Sequence, residues 1–390
     1  MRRPPRVVHL GKYYPPARGG IESHVQDLAR AQAARGAEVD VLCVEHRDAS
    51  GRDVTWSALG RTRTTVESDG PVRLTRLGRR GNLARLDVCP RLPAALLQAS
   101  RRADVLHLHV PNPTMAVPLL LLPLDRCRLV VTHHSDLVRQ RVLGRAYRPL
   151  EHFLYRRAAA LIATSPPYAA ASPLLQAHRD KVHVIPLGLD LSPFLDPAPG
   201  ARAEAARLQA AYPGPLWVSV GRLVYYKGLE TAVRALRELQ GTLLLVGVGP
   251  LQARLKSLAR QQGVAGRLVF LGEVGPETLV GAYLAATALL FPSDARSEAF
   301  GLAQVEAMAS ACPVVNCAIP GSGVPWVAAN EVAALTVLPG DPQALAQAAS
   351  RLLREPDLRA RLGQQGRARA RAELSAEVAA DRTLRLYASL

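Results

Sequence analysis

Short apolar runs recur along the whole chain, and most are followed by a stretch of helical periodicity. Residues 6–10 (R-V-V-H-L) read as a buried strand. A loop rich in proline and glycine follows, through Gly19 and Gly20. Residues 21–35 then place Val25, Leu28 and Ala29 on one helical face and stop at Gly36, and 38–44 form the next strand. This is a βαβ opening with two glycines where its helix begins. The G-G-I-E-S-H spacing is not the G-x-G-x-x-G of a dinucleotide fold, and a plain turn explains it as well as a ligand contact does.

The segment 48–102 is the least patterned, with a short strand at 74–77 and a helix at 90–99. Regularity returns at D-V-L-H-L-H-V (104–110), a helix over 116–122 and strands at 128–132, 160–164 and 182–185, for about seven strands in the first half. His109 and His134 both stand at carboxyl ends of strands, where open α/β sheets collect ligands. A lone histidine is usually structural, but two at equivalent ends favour function. A proline- and glycine-rich hinge covers 186–199. A second series follows, with strands at 217–220, 242–247, 267–272, 288–293, 313–316 and 334–337, then helices at 345–353 and 362–390. The pattern predicts an α/β protein of two Rossmann-like, doubly wound domains facing each other across a cleft.

With 390 residues, 48% of them hydrophobic, the chain has room for both cores. The longest apolar run, 115–124, is about half a bilayer span and contains two prolines, so no membrane-spanning segment is expected. The basic N-terminus lacks the apolar stretch of a signal peptide. Five scattered cysteines without a C-x-x-C read as reduced thiols, and the expected location is cytoplasmic. Net charge is +17, and it is uneven: residues 1–160 hold 27 Lys and Arg against 14 Asp and Glu, while the remainder holds 22 against 18. A basic first half suggests an anionic partner. Residues 139–157 mix arginine with Leu, Tyr and Phe. They read either as a solvated helix packed on one side or as a basic amphipathic helix at an anionic membrane surface. Aromatics at 5%, with no nucleic-acid motif, argue against nucleic acid.

The chemistry concentrates in two stretches of the second half. Glu298 and Glu306 lie eight positions apart, flanking Phe300, Gly301 and Leu302 where a loop turns into a helix. Two solvated glutamates, or a general acid/base pair, would explain that pair alone. G-R-L-V-Y-Y-K-G (221–228) adds Arg222 and Lys227 in a glycine-bounded loop after a strand. Guanidinium, ammonium and the first-turn amides of a helix are the groups that bracket a diphosphate.

These residues resemble the family 4 (group 1) glycosyltransferases of the GT-B fold. The likeness rests on G-R-L-V-x-x-K-G, S-E-A-F-G-L-x-x-x-E-A-M-A, G-G-I-E-x-H, V-T-H-H-S-D-L-V-R-Q, A-T-S-P-x-Y, V-I-P-L-G-L-D, G-S-G-V-P-W-V and P-G-D-P, in order from residue 6 to about 345. The resemblance implies an acceptor-binding domain at 1–190, a nucleotide-sugar domain at 191–370, and a terminal helix at 371–390 packing back on the first. It implies His134, Arg222, Lys227 and Glu298 as catalytic residues. Gly19, Gly20, His109, Phe300, Gly301, Leu302 and Glu306 would bind substrate, with Glu298 on the sugar and Glu306 on the ribose. His133 stands where relatives often carry an aromatic residue, which leaves open which histidine faces the site. The implied reaction is a retaining, front-face hexosyl transfer from a nucleotide-sugar to a lipid-linked or polysaccharide acceptor. It needs no cofactor, and there is no D-x-D to hold a metal. The H-S-D-L-V-R-Q and G-V-P-W-V segments look most like bacterial mannosyltransferase-type members, so GDP-mannose is the first expected donor and a UDP-hexose the second. The enzyme would work in cell-surface glycan synthesis, peripheral at the inner face of the cytoplasmic membrane. A non-catalytic GT-B subunit is the rival reading, and the retained charged residues count against it.

Overall fold

The computed structural model describes residues 3–17, 19–83, 86–136 and 141–390, without the side chains of 141–147. The L-V-R-Q end of the V-T-H-H segment, and the start of the basic stretch at 139–140, lie outside the described residues. The chain divides into two compact units, Met1–Leu189 with Ala376–Leu390, and Asp190–Ser375.

The first unit contains β1 (Arg6–Leu10), β2 (Glu38–Val44), β3 (Thr65–Asp69), β4 (Val72–Leu77), β5 (Gly81–Leu83), β6 (Leu86–Val88), β7 (Val105–Val110), β8 (Arg128–His133), β9 (Ala160–Ala163) and β10 (Val182–Val184). Eight of these form one sheet in the order β10-β9-β8-β7-β1-β2-β4-β3, and β5 pairs with β6 apart from it. Every pairing in the large sheet is parallel except β3 with β4. The expectation of about seven strands missed three, the three-residue strands β5 and β6 and the edge strand β3, which reads T-V-E-S-D and is too exposed for hydrophobic patterning to register. Central β7 is buried at all six positions, as parallel strands covered on both faces are. From β1 the chain winds through β2 to β4 on one side and later through β7 to β10 on the other. The switch point therefore lies between β1 and β7.

The second unit repeats the plan with β11 (Leu216–Val220), β12 (Thr242–Val246), β13 (Leu268–Gly272), β14 (Ala288–Phe291), β15 (Val314–Cys317) and β16 (Ala334–Val337). The order is β13-β12-β11-β14-β15-β16, all parallel, which puts its switch point between β11 and β14. Its core gathers Trp217, Leu243, Leu245, Leu290 and Val315 from the sheet with Leu229, Val233, Leu255 and Leu345 from the covering helices.

The single terminal helix predicted at 362–390 is two, Pro356–Glu373 and Ala376–Ser389. The second belongs to the first unit, where Ala376, Ala379 and Ala380 pack against Leu28 and Ala31 of the helix Gly20–Ala34. Small residues on both faces permit that close approach. The amide of Ala376 also donates to the Leu189 carbonyl at 2.8 Å, and Arg35 pairs with Asp381 at 2.5 Å.

Candidate functional site

The predicted residues fall on both units, and each set lies by its own sheet's switch point. In the second unit the loop after β11 carries Arg222 and Lys227, and the loop after β14 carries Glu298. Doubly wound topology brings these two loops side by side although they are far apart in sequence. Gly228 makes the approach possible. Its φ is +59°, and a Cβ there would lie 1.9 Å from the Pro292 carbonyl oxygen. The two backbones touch at that point, so no larger residue fits.

Across this contact the Lys227 Nζ lies 2.6 Å from Glu298 Oε2, with the two side chains only 14% and 11% exposed. The same ammonium stands 4.9 Å from the centre of the Phe291 ring. The Ser293 hydroxyl donates to Glu298 Oε2 at 3.3 Å. An ammonium has three N–H donors, so after pairing with Glu298 it retains donors for an anionic oxygen. Arg222 is exposed, and its guanidinium reaches the Tyr226 hydroxyl at 3.4 Å.

The turn holding Glu298 is braced from behind. The Ser322 hydroxyl donates to the Glu298 carbonyl, and the Val324 amide donates to Ser322 Oγ at 3.1 Å. This gives the G-S-G-V-P-W-V segment a physical task. Gly301, with φ +82°, begins the helix Leu302–Ala309. A Cβ at that position would meet the Phe291 ring at 2.8 Å. Phe300 is buried, and its carbonyl accepts from the Gln304 amide at 3.2 Å. Gln304 in turn accepts from Asn316 at 2.8 Å, so this buried network sets the aim of the helix's first turn. Leu302 opens that turn. Glu306 is the fifth residue of the helix, and its Oε2 accepts from the Tyr283 hydroxyl at 2.7 Å. Burial, reinforced by the facing Glu306 carboxylate, holds the Tyr283 hydroxyl well above its ordinary pKa. The structure thus brings Lys227 and Glu298 into contact and gives Glu306 a different partner. Glu298 and Glu306 do not share a hydrogen-bonding partner among the described contacts.

In the first unit Gly19 precedes the helix and Gly20 begins it, and the Ser23 amide donates to the Gly19 carbonyl at 3.1 Å. His109, the penultimate residue of its strand, lies beside His134, with His109 Nδ1 and His134 Nε2 3.0 Å apart. The two adjacent histidines have opposite surroundings. His133 is engaged at both nitrogens, Nδ1 with the Tyr155 hydroxyl at 2.6 Å and Nε2 with Asp136 Oδ1 at 3.1 Å. His134 is equally buried, yet its Nδ1 has no hydrogen-bonding partner among the described residues. An unpartnered polar atom in a buried place is costly, and His134 differs from His133 in having one among the described residues.

Sequence reasoning missed the company His109 keeps. His9, His24 and His107 are buried around it and His134. The H-L-H spacing was the available signal, because positions two apart on a strand share a face, and His9 pairs in register with His107 on the neighbouring strand. Burial pushes His9 and His24 down to about 4 and His107, His109 and His134 well below the usual imidazole range. His9, His107 and His109 come close enough to share a cation. Both nitrogens of each ring already have hydrogen-bonding partners, so a cation would have to displace those bonds.

Comparison with known proteins agrees with both halves. Residues 203–369 match the family model for glycosyl transferases group 1, and residues 19–188 match the glycosyl transferase 4-like domain. An O-antigen chain mannosyltransferase C of Escherichia coli is 30% identical over 389 residues, spanning 99% of this chain and 98% of its own length. The D-rhamnosyltransferase WbpZ of Pseudomonas aeruginosa is 35% identical over 275 residues, 70% of each chain. Among solved structures, a sucrose-phosphate synthase from Thermosynechococcus elongatus superposes with a TM-score of 0.80 at 25% identity, covering 99% of this chain and 98% of its own.

Proposed function

The chain belongs to the group 1 glycosyltransferases of the GT-B fold, and from that premise we propose that it transfers a mannosyl unit from GDP-mannose, with retention, to a lipid-linked or polysaccharide acceptor. The observation that carries the reading is the buried Lys227–Glu298 pair at the switch point of the second unit. In the donor complex Glu298 holds sugar hydroxyls, and Lys227, with Arg222, takes the diphosphate. The leaving group gathers negative charge as the glycosidic bond to it breaks. Two cationic side chains and the first-turn amides of Leu302–Ala309 offset that charge in the transition state. They supply what a divalent ion supplies elsewhere, so the transfer runs without one. The Phe300, Gly301 and Leu302 backbone lies along the sugar and diphosphate. Glu306 accepts hydrogen bonds from the ribose hydroxyls. Gly19, Gly20, His109 and His134 belong to the acceptor and reaction-centre side of the chemistry.

The Escherichia coli O-antigen chain mannosyltransferase supports mannose, and the Pseudomonas aeruginosa D-rhamnosyltransferase supports a related deoxyhexose as the alternative. They also support an acceptor in cell-surface glycan synthesis. No helix among the described residues is long and apolar enough to cross a membrane. We place the protein at the anionic inner face of the cytoplasmic membrane, held by the basic first 160 residues, whose surface exposes Leu121 and the Arg156–Phe153 pair.

A donor screen by thermal unfolding tests the reading. GDP and GDP-mannose should raise the melting temperature, with UDP and UDP-glucose giving smaller shifts. Mass spectrometry should then show one hexose added to a lipid-linked acceptor, at a rate that survives EDTA, and NMR should show the α-anomer. Protection by none of these nucleotides would refute the donor site, and a β-anomer would refute retention. Flotation with anionic liposomes tests the membrane placement, which binding to DNA but not to lipid would overturn.

A further inference from the structure

Five residues from five different parts of the chain form one hydrogen-bonded line inside the first unit. The Thr383 hydroxyl, in the C-terminal helix, donates within its own helix to the carbonyls of Ala379 and Ala380, at 2.9 and 3.1 Å. Its single proton is therefore committed, and toward Gln32 it can only accept. That orients the amide: Gln32 Nε2 donates to Thr383 Oγ1 at 2.7 Å, and also to the Tyr387 hydroxyl at 3.3 Å. Gln32 Oε1 consequently faces His9 Nε2, at 2.9 Å. A carbonyl oxygen only accepts, so His9 carries its proton on Nε2.

The next links follow from neutrality. All of these rings are buried, and no carboxylate is among the partners described for their nitrogens. With Nε2 protonated, His9 Nδ1 is bare and accepts from His109 Nε2, 3.1 Å away. His109 Nδ1 is then bare, and accepts from His134 Nε2 at 3.0 Å. The last atom in the line is His134 Nδ1, which is buried and has no partner among the described residues.

We infer that the C-terminal helix, through Thr383 and Gln32, sets the tautomers of His9 and His109 and so holds His134 with a bare Nδ1, a hydrogen-bond acceptor presented to bound ligand. Gln32, His9, His109 and Thr383 are positioning residues in this scheme. A protonated Nδ1 would donate to a ligand oxygen, an anionic one included, whereas a bare Nδ1 can only accept from an O–H or N–H group. The C-terminal helix thus decides what kind of atom the site offers, without touching the ligand. The chemical class this selects is a hydroxyl or other N–H or O–H donor at that point, not an anionic oxygen. The functional consequence rests on His134 being a site residue, but the tautomer itself does not.

Nitrogen-15 NMR of the full-length protein, labelled at histidine and without ligand, tests the scheme directly. His134 is assigned from the resonances lost in His134→Asn. The expected spectrum places His134 Nδ1 at the shift of a bare imidazole nitrogen and Nε2 at that of a protonated one. Thr383→Val removes the shorter of the two acceptors that orient Gln32 and leaves only the Tyr387 hydroxyl at 3.3 Å, and His134 should then show both tautomers. Thr383→Ser keeps the oxygen and should restore the single state. A protonated Nδ1 in the native protein would overturn the inference, and so would an unchanged His134 spectrum in Thr383→Val. Should the valine variant fail to fold, the native spectrum still decides. Because no donor or acceptor sugar is present, failure here is separable from failure of the transferase reading.

Discussion

Replacing Lys227 with alanine should destabilise the second unit as well as disable donor binding. Glu298 is 9% exposed. Without the ammonium 2.6 Å away, its carboxylate retains the Ser293 hydroxyl at 3.3 Å as its described side-chain donor. Removing one partner of a buried pair typically costs about 3–5 kcal/mol, because the remaining charge is left uncompensated. Residual exposure and water admitted to the space left by the lysine put the expected loss at the lower end, about 3 kcal/mol. For a unit of this size each kcal/mol moves the melting temperature by about 2–4 °C, so the second unit should melt roughly 6–12 °C lower. Calorimetry on Lys227→Ala, and on the wild type, Lys227→Met, Glu298→Gln and the double variant Lys227→Met/Glu298→Gln, gives the loss and closes the cycle. The double variant carries no buried charge and should recover to within about 1 kcal/mol of the wild type. A saturating nucleoside diphosphate, at about a hundred times its Kd, adds about 2.7 kcal/mol to the wild type and should add almost nothing to Lys227→Ala. A Lys227→Ala protein melting within about 1 °C of the wild type, or a strictly additive cycle, would refute the claim that this pair is buried and coupled.

Gly228→Ala should lower both the melting temperature and donor affinity, since it adds the left-handed penalty of about 1–2 kcal/mol to a clash with the Pro292 carbonyl; wild-type values for both would refute the backbone contact. Glu306→Ala should raise KM for the nucleotide-sugar about tenfold to a hundredfold, the value of a charged hydrogen bond of about 1.5–3 kcal/mol, with kcat nearly kept; a selective fall in kcat would move Glu306 from ribose binding to the reacting centre. Acid should weaken the first unit early. His9 and His24 titrate near 4 when folded and near 6.5 when unfolded, so the unfolded chain binds protons first as pH falls. Each then removes up to about 1.4 kcal/mol per pH unit across that window. His107, His109 and His134 act in the same direction. Glu151, pushed up to about 7 by burial and by Asp136, gains protons on folding and offsets about one of them. Urea unfolding at pH 7 and pH 5 should show the net loss, and equal stability at the two values would refute neutral burial of the histidines.

Much of this was legible from local pattern. Apolar runs bounded by turn residues revealed most strands, because a parallel strand covered on both faces must be apolar along its length. The G-R-L-V-Y-Y-K-G segment stood out for its two cations in a glycine-bounded loop, and S-E-A-F-G-L for a carboxylate beside a glycine where a loop turns into a helix. Strand β3 was invisible for the complementary reason: as an exposed edge it is polar, and only its pairing with β4 makes it a strand. The break between Pro356–Glu373 and Ala376–Ser389 was hidden too. Both helices are amphipathic and arginine-rich, and nothing in their periodicity says that the second packs against the helix Gly20–Ala34.

Pairwise chemistry between distant residues was beyond local reading. Residue type and spacing marked Glu298 and Glu306 as a pair, but their partners, Lys227 and Tyr283, come from other loops and helices. Order along the chain could not choose between His133 and His134. Tertiary packing distinguishes their surroundings, satisfying both nitrogens of His133 with Tyr155 and Asp136 and giving Nδ1 of His134 no partner among the described residues. Periodicity reports which face of an element is apolar, and that suffices to build the two sheets. Hydrogen bonding and charge pairing depend on which faces meet, and only the folded chain, carrying its C-terminal helix back to Gln32, decides that.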